Sequence, residues 1–214
     1  DENGDLKVVK VSTTYPDYSR GIFDALELLG EQYNTGVDDI LEQCRIFIHG
    51  STVATNALLV KNVAKIGFIV TKGHRDILTF REGGKENIFD SRIDYPEPYV
   101  PRYLTQTVTE RVNAEGGIEI SLDEEEVRQK IRHLVEEYKV EGIAVCLLWS
   151  IMNPSHEKRI GEIIHSEFPG LNYSLSHELN PIIREYRRAI TTAIDASLLP
   201  LVKKYVHDLD EALK

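Results

Sequence analysis

Two stretches of this 214-residue chain, residues 66–70 and 142–148, are apolar almost without a break. Strands of that kind are covered on both faces, which points to a parallel sheet with helices above and below rather than to a solvated antiparallel one. The rest of the chain supplies the helices. Ile22, Ala25, Leu26 and Leu29 repeat at the spacing of one helical face and predict a helix over 18–33. Gly50-Ser51-Thr52 opens a second helix that turns Val53, Ala57 and Leu58 inward. Ser121 with Glu124 reads as a capping box for a third, which buries Val127, Ile131, Leu134, Val135 and Tyr138. Asn153-Pro154 starts a fourth over Ile160, Ile163, Ile164 and Phe168. Asn180-Pro181 starts the last, whose stripe runs through Ile183, Tyr186, Ile190, Ile194, Leu198, Leu201, Tyr205 and Leu209, with a kink or break expected at Pro200.

Further strands are expected at 6–13, after a turn-like polar opening over 1–5, at 45–49 and at 172–176, with a solvated strand over 104–112 and a turn at 114–117. Periodicity disappears across 71–103, a segment long enough to serve as a loop or lid. Strands alternating with helices give an α/β fold, a mostly parallel sheet flanked by helices.

Charge narrows the function. Twenty-five Lys and Arg against 35 Asp and Glu leave a formal charge of −10, which repels a phosphate backbone and argues against a nucleic-acid partner. No apolar run approaches the roughly 20 residues that span a bilayer, so the chain reads as cytoplasmic without a membrane partner. Cys44 and Cys146 stand in apolar surroundings and are expected to be buried thiols.

Ligands of open parallel sheets gather at the carboxyl ends of strands. Three junctions of that kind are legible: His49-Gly50-Ser51-Thr52, Thr71-Lys72-Gly73 and Trp149-Ser150-Ile151-Met152-Asn153, expected on one edge of the sheet. At the first, Gly50 allows close approach, Ser51 and Thr52 stand at a helix start, and Asn56 follows one turn later. The same hydroxyls equally serve as plain helix caps. Lys72 can meet an anion or stay solvated. Arg81-Glu82-Gly83-Gly84-Lys85-Glu86 reads as a substrate-contacting lid or an exposed turn. Arg184 and Arg188 share one face of the last helix and Arg187 shares another with Thr191, suiting an anion or a set of ion pairs. No Walker A pattern, G-x-G-x-x-G, H-E-x-x-H or G-x-S-x-G is present, and spacing alone defines no catalytic residue and no metal ligand.

The run His49-Gly50-Ser51-Thr52-Val53-Ala54-Thr55-Asn56-Ala57-Leu58-Leu59 resembles the H-G-T-T-V-A-T-N-A-L segment of hydantoinase A/oxoprolinase proteins. The similarity continues in order through Thr71-Lys72-Gly73-His74-Arg75-Asp76, Tyr99-Val100-Pro101-Arg102, Glu110-Arg111-Val112, Val145-Cys146-Leu147-Leu148, Asn153-Pro154-Ser155-His156-Glu157 and Arg184-Glu185-Tyr186. The resemblance implies a relative of the actin-like, ribonuclease H-like ATPase fold. It implies ATP and Mg as cofactors, an oligomer with a hydantoinase B-type partner subunit, and activation of a carbonyl by phosphorylation. Candidate substrate- or nucleotide-binding residues are then Gly50, Ser51, Thr52, Thr55, Asn56, Lys72, Arg81, Glu82, Arg184 and Glu185.

The family's Asp-x-Gly-Gly-Thr phosphate hairpin does not occur in this chain and is expected upstream of Asp1, so the chain reads as an incomplete fragment. On this reading 1–180 is the N-terminal domain, and 181–214 is the helical start of a following domain. Trp149 stands where many members carry His, Arg187-Arg188-Ala189-Ile190 replaces Glu-Arg-Thr-Ser, and the 80–85 loop also departs from the family pattern. The expected activity of the whole protein is ATP-dependent hydrolysis of a cyclic amide, the fragment alone being inactive. The alternatives are a subunit of an acetone or acetophenone carboxylase, acting on a ketone, and a non-catalytic assembly domain.

Overall fold

The computed structural model describes residues 6–14, 18–83, 85, 87 and 89–213. The expected turn at 1–5, and Gly84 and Glu86 of the lid motif, lie outside them. The chain divides into two compact units, Asp1–Asn56 with Leu201–Lys214, and Ala57–Pro200.

The smaller unit holds helix α1 (Tyr18–Tyr33), helix α2 (Val37–Gln43) and the first turn of α3 (Val53–Leu59). Helix α1 has the predicted bounds. The strands expected at 6–13 and 45–49 are not formed: both segments lack regular structure. A strand exists only through its ladder, and among the described residues no backbone hydrogen bond joins these two segments. Their apolar side chains are correspondingly open, Val8 being 74% and Ile48 88% exposed. Cys44, expected to be buried, closes α2 and is exposed.

The larger unit contains strands β1 (Ile66–Thr71), β2 (Thr105–Val108), β3 (Arg111–Val112), β4 (Ile118–Ile120), β5 (Gly142–Cys146) and β6 (Asn172–Leu175). Its helices are α4 (Ile77–Phe80), α5 (Glu124–Glu136), α6 (Ser155–Glu167), α7 (Ser176–Leu179) and the first part of α8 (Glu185–Ala212). Four strands form one parallel sheet in the order β2-β1-β5-β6. The two apolar runs are its central pair, and every residue of β1 and β5 is buried. Helices reach them from both faces through glycine. A Cβ at Gly67 would stand 2.6 Å from Leu134 of α5, and one at Gly142 3.3 Å from the Ala196 carbonyl of α8. These two positions let helices pack directly on the backbone of the central strands.

Several local expectations are corrected. The single strand over 104–112 is two. Residues 105–108 join the parallel sheet as an edge strand, and 111–112 pair antiparallel with β4 across the predicted turn. The cap of α5 is Asp123, whose Oδ1 accepts from the Glu126 amide at 3.0 Å, rather than Ser121. Helix α8 begins at Glu185 instead of beside Asn180, and its helical assignment runs on through Pro200. Within the larger unit its buried face is Arg188, Ala189, Thr192, Ala193, Ala196 and Ser197, the alanines letting the helix lie close to the sheet, while Ile183, before the helix, is exposed.

Candidate functional site

The sheet order marks one place for a ligand. From β1 the chain proceeds to β2 on one side, and from β5 to β6 on the other, so the connections part between two neighbouring strands. Ligands bind beyond the carboxyl ends of such a pair. A recess of only about 10 Å³ lies there, lined by Thr71 at the end of β1 and His74 after it, by Cys146 to Leu148 at the end of β5, and by Glu185 and Arg188 of α8.

The recess rests on a buried polar network. Glu110 is fully buried; the Thr71 hydroxyl donates to its Oε1, and His156 Nδ1 lies 2.8 Å from its Oε2. Thr71 Oγ1 also accepts from the Leu148 amide at 3.0 Å, tying the end of β1 to the end of β5. Glu157, equally buried, accepts from the Leu147 amide at 2.8 Å, the Ser176 hydroxyl at 2.6 Å and the His177 amide at 3.0 Å, with His177 Nδ1 2.7 Å away. The His177 Nε2 has no hydrogen-bond partner and lies 3.7 Å from a Glu178 oxygen. Arg188, 1% exposed, donates to Ser176 Oγ and to the Leu147 and Ile182 carbonyls. Three loops from three strand ends are thus stapled by two carboxylates and one guanidinium, each with donors or acceptors to match. Trp149, in the turn after β5, takes a left-handed φ of 55°, a conformation a bulky side chain rarely adopts.

At the mouth, burial and the nearby Arg111 charge push the His74 imidazole below its usual value, against the opposing pull of Glu185 and Glu110. That lowering favours the neutral imidazole, and His74 and Glu185 both line the recess. Cys146 is different. Burial pushes its thiol up to about 11, so it packs and does not attack.

Of the predicted residues in this unit, Glu185 lines the recess. Lys72 is exposed just after β1, its amide held by the Val108 carbonyl at 3.0 Å. Glu82 meets the start of α8, pairing with Arg184 and Arg187, and Arg187 above all holds the Glu82 carboxyl below the ordinary carboxylate range; Arg81 instead donates to the Glu97 carbonyl.

The remaining predicted residues belong to the smaller unit. Gly50, Ser51, Thr52 and Asn56 line a groove of about 470 Å³, with Ser12, Thr13 and Thr14 opposite and the half-buried face of α1 as floor. The His49 Nε2 and Tyr205 hydroxyl meet in its wall at 2.5 Å. Ser51 Oγ accepts from the Val53 amide at 3.2 Å, the capping role, and Asn56 Nδ2 reaches Thr52 Oγ1 at 3.4 Å. Thr55 is exposed and does not line the groove. Because 45–49 is not a strand, this junction is not one of the sheet's carboxyl ends, which corrects the expectation of three junctions on one edge.

Glu110, His156, Glu157 and His177 were not singled out as site residues from the sequence, and Arg188 was read as part of a face suiting an anion or ion pairs, not as a buried group. A signal existed: Glu157 stands three and seven residues before Ile160 and Ile164, on the stripe that faces the core.

Residues 1–168 match the model of the hydantoinase/oxoprolinase N-terminal region. The chain belongs to the hydantoinase/oxoprolinase family. It is 32% identical over 98% of its length to the caprolactamase subunit alpha of Pseudomonas jessenii, of which it covers 30%. It is 34% identical over 92% of its length to the acetophenone carboxylase gamma subunit of Aromatoleum aromaticum, covering 28% of that protein. The crystal structure of the ATP-dependent caprolactamase from P. jessenii superposes with a TM-score of 0.89 at 32% identity, over 100% of this chain and 31% of the other. This family member therefore spans about 30% of the length of the relatives it matches. The mostly parallel α/β fold expected from the two apolar strands is the fold observed.

Proposed function

We propose that this chain is the N-terminal region of an ATP-dependent enzyme that hydrolyses a cyclic amide, and that it contributes one wall of the ligand cleft. The observation that carries the reading is chain-wide likeness to an ATP-dependent caprolactamase, with the same fold over every residue of this chain. ATP, when bound, would supply a phosphoryl group that turns the amide oxygen into a leaving group. The residues described here fit such a ligand in part. The groove of the smaller unit offers hydroxyls and one amide but no Lys or Arg. Phosphate charge there would have to be met by Mg²⁺ and by backbone amides beyond this chain, such as those of the expected glycine-rich hairpin. Among the described residues no group of three His, Cys, Asp or Glu side chains could hold a metal ion. Mg²⁺ is commonly held largely by substrate phosphates and one or two carboxylates. Gly50, Ser51, Thr52 and Asn56 would face the nucleotide or substrate, with Thr55 beside them on the exposed side of α3. Lys72, Arg81, Glu82, Arg184 and Glu185 would surround the recess, 71–103 would act as its lid, and α8 would lead from the 1–180 domain into the domain that follows.

The test is phosphate release by the full-length protein with its hydantoinase B-type partner, ATP and Mg²⁺, across hydantoins, 5-oxoproline and caprolactam. Substrate-dependent release is expected with at least one ring amide, and none across the panel sinks the reading. The 34% identity to an acetophenone carboxylase subunit supports a second reading, a ketone carboxylase. It predicts bicarbonate-dependent ATP turnover with acetone or acetophenone instead.

A further inference from the structure

Arg184, just before α8, and Arg187, in its first turn, present two guanidinium groups to one carboxylate. Arg187 donates to both Glu82 oxygens through Nε, at 3.2 Å each, and through Nη2 at 3.1 Å, while Arg184 Nη1 reaches Oε1 at 3.4 Å. The two cations exceed the one anion, and neither arginine is sequestered, their side chains being 66% and 57% exposed. Such a pair of forks matches the oxygens of a carboxylate or phosphate better than any ammonium does.

The carboxylate that fills it sits on a yielding support. Glu82 comes from the turn after α4, between Arg81, in a left-handed conformation at φ 55°, and Gly83 at φ 110°. Arg81 is itself underpaired: its Nη2 donates to the Glu97 carbonyl, but its buried Nε has no partner. The turn is strained at Arg81 and joined to α8 through Glu82, so releasing that carboxylate breaks only exposed ion pairs, which hold weakly in water. The same turn of α8 sends Glu185 and Arg188 to the recess at the strand ends.

We propose that Arg184 and Arg187, at the start of α8, form an oxyanion subsite. Glu82 occupies the subsite when no ligand is bound, and the carboxylate or phosphate of a small-molecule ligand displaces it. The inference rests on the proposed function, in which Arg184 and Glu82 belong to the ligand site. It is read by binding and not by turnover, so inactivity toward every ring amide would leave it standing.

The experiment is calorimetric titration of the 214-residue chain at low ionic strength with inorganic phosphate and, separately, with succinate. Glu82→Gln removes the resident anion and is expected to tighten at least one of them about fivefold, the scale on which an exposed ion pair competes. Glu82→Ala should do the same. The double variant Arg184→Gln with Arg187→Gln should lose the gain, with circular dichroism unchanged in all. Tightening for phosphate alone assigns a phosphoryl ligand, and for succinate alone a carboxylate. Equal affinity in wild type and both Glu82 variants, no binding by any of them, or binding that survives loss of both arginines overturns the proposal.

Discussion

The two units are written in the same alphabet of apolar extended segments and amphipathic helices, yet only the larger one closes a core. In Ala57–Pro200 each central strand finds a neighbour on both edges and a helix on both faces. In the smaller unit the segments 6–14 and 46–50 have strand-like sequence but no ladder, and among its described hydrophobic residues only Val53 and Leu209 are buried. The difference teaches that a β-pattern is a demand for partners. Where they are present, the pattern becomes a rigid platform for a site. Where they are not, the same residues border an open groove.

Native-state hydrogen exchange should separate the units most. Amides of β1 and β5 should be protected to the global stability, about 5–15 kcal/mol, and those of 6–14 and 46–50 by almost nothing. Comparable protection in both would break the comparison. Glu157→Ala should follow in size. It strips the acceptor from buried donors at Leu147, Ser176 and His177 and is expected to cost about 3–5 kcal/mol in urea denaturation. A loss under 1 kcal/mol on the scale of a surface substitution would mean the network is ornamental to stability.

The cysteines sharpen the contrast chemically. Iodoacetamide should label exposed Cys44 promptly and leave Cys146 unmodified until the larger unit opens, since that thiol is buried and pushed up to about 11. Equal labelling by mass spectrometry would refute it. Gly67→Ala drives a methyl into Leu134 and should destabilise by about 1–3 kcal/mol, the cost of overpacking, read from the denaturation midpoint. Asp123→Ala should have the smallest effect, about 1 kcal/mol for a lost cap. A midpoint that does not move would return the capping role to Ser121.

The larger unit was legible because its signals are local: continuous apolar strands, helix periodicity and the turn at Gly116-Gly117. The site was legible only by half. Arg81, Glu82, Arg184 and Glu185 were readable as exposed charge, and the structure brings Glu82 to Arg184 while setting Glu185 at the recess. Glu110 and Glu157 were not, because a charged side chain is ordinarily solvated, and only its partners make burial tolerable. Those partners come from residues 10 to 46 positions away in the chain.

By itself the sequence determined that a parallel sheet would be flanked by helices, since uninterrupted apolar strands have no other stable setting, and its ordered motifs determined the family. Tertiary structure alone decided which extended segments became strands, which carboxylates went inside, and that one turn of α8 would face both the recess and Glu82. The reason is common to all three. Ladder pairing, charge burial and the meeting of loops are properties of two segments at once, and no single stretch of chain contains both.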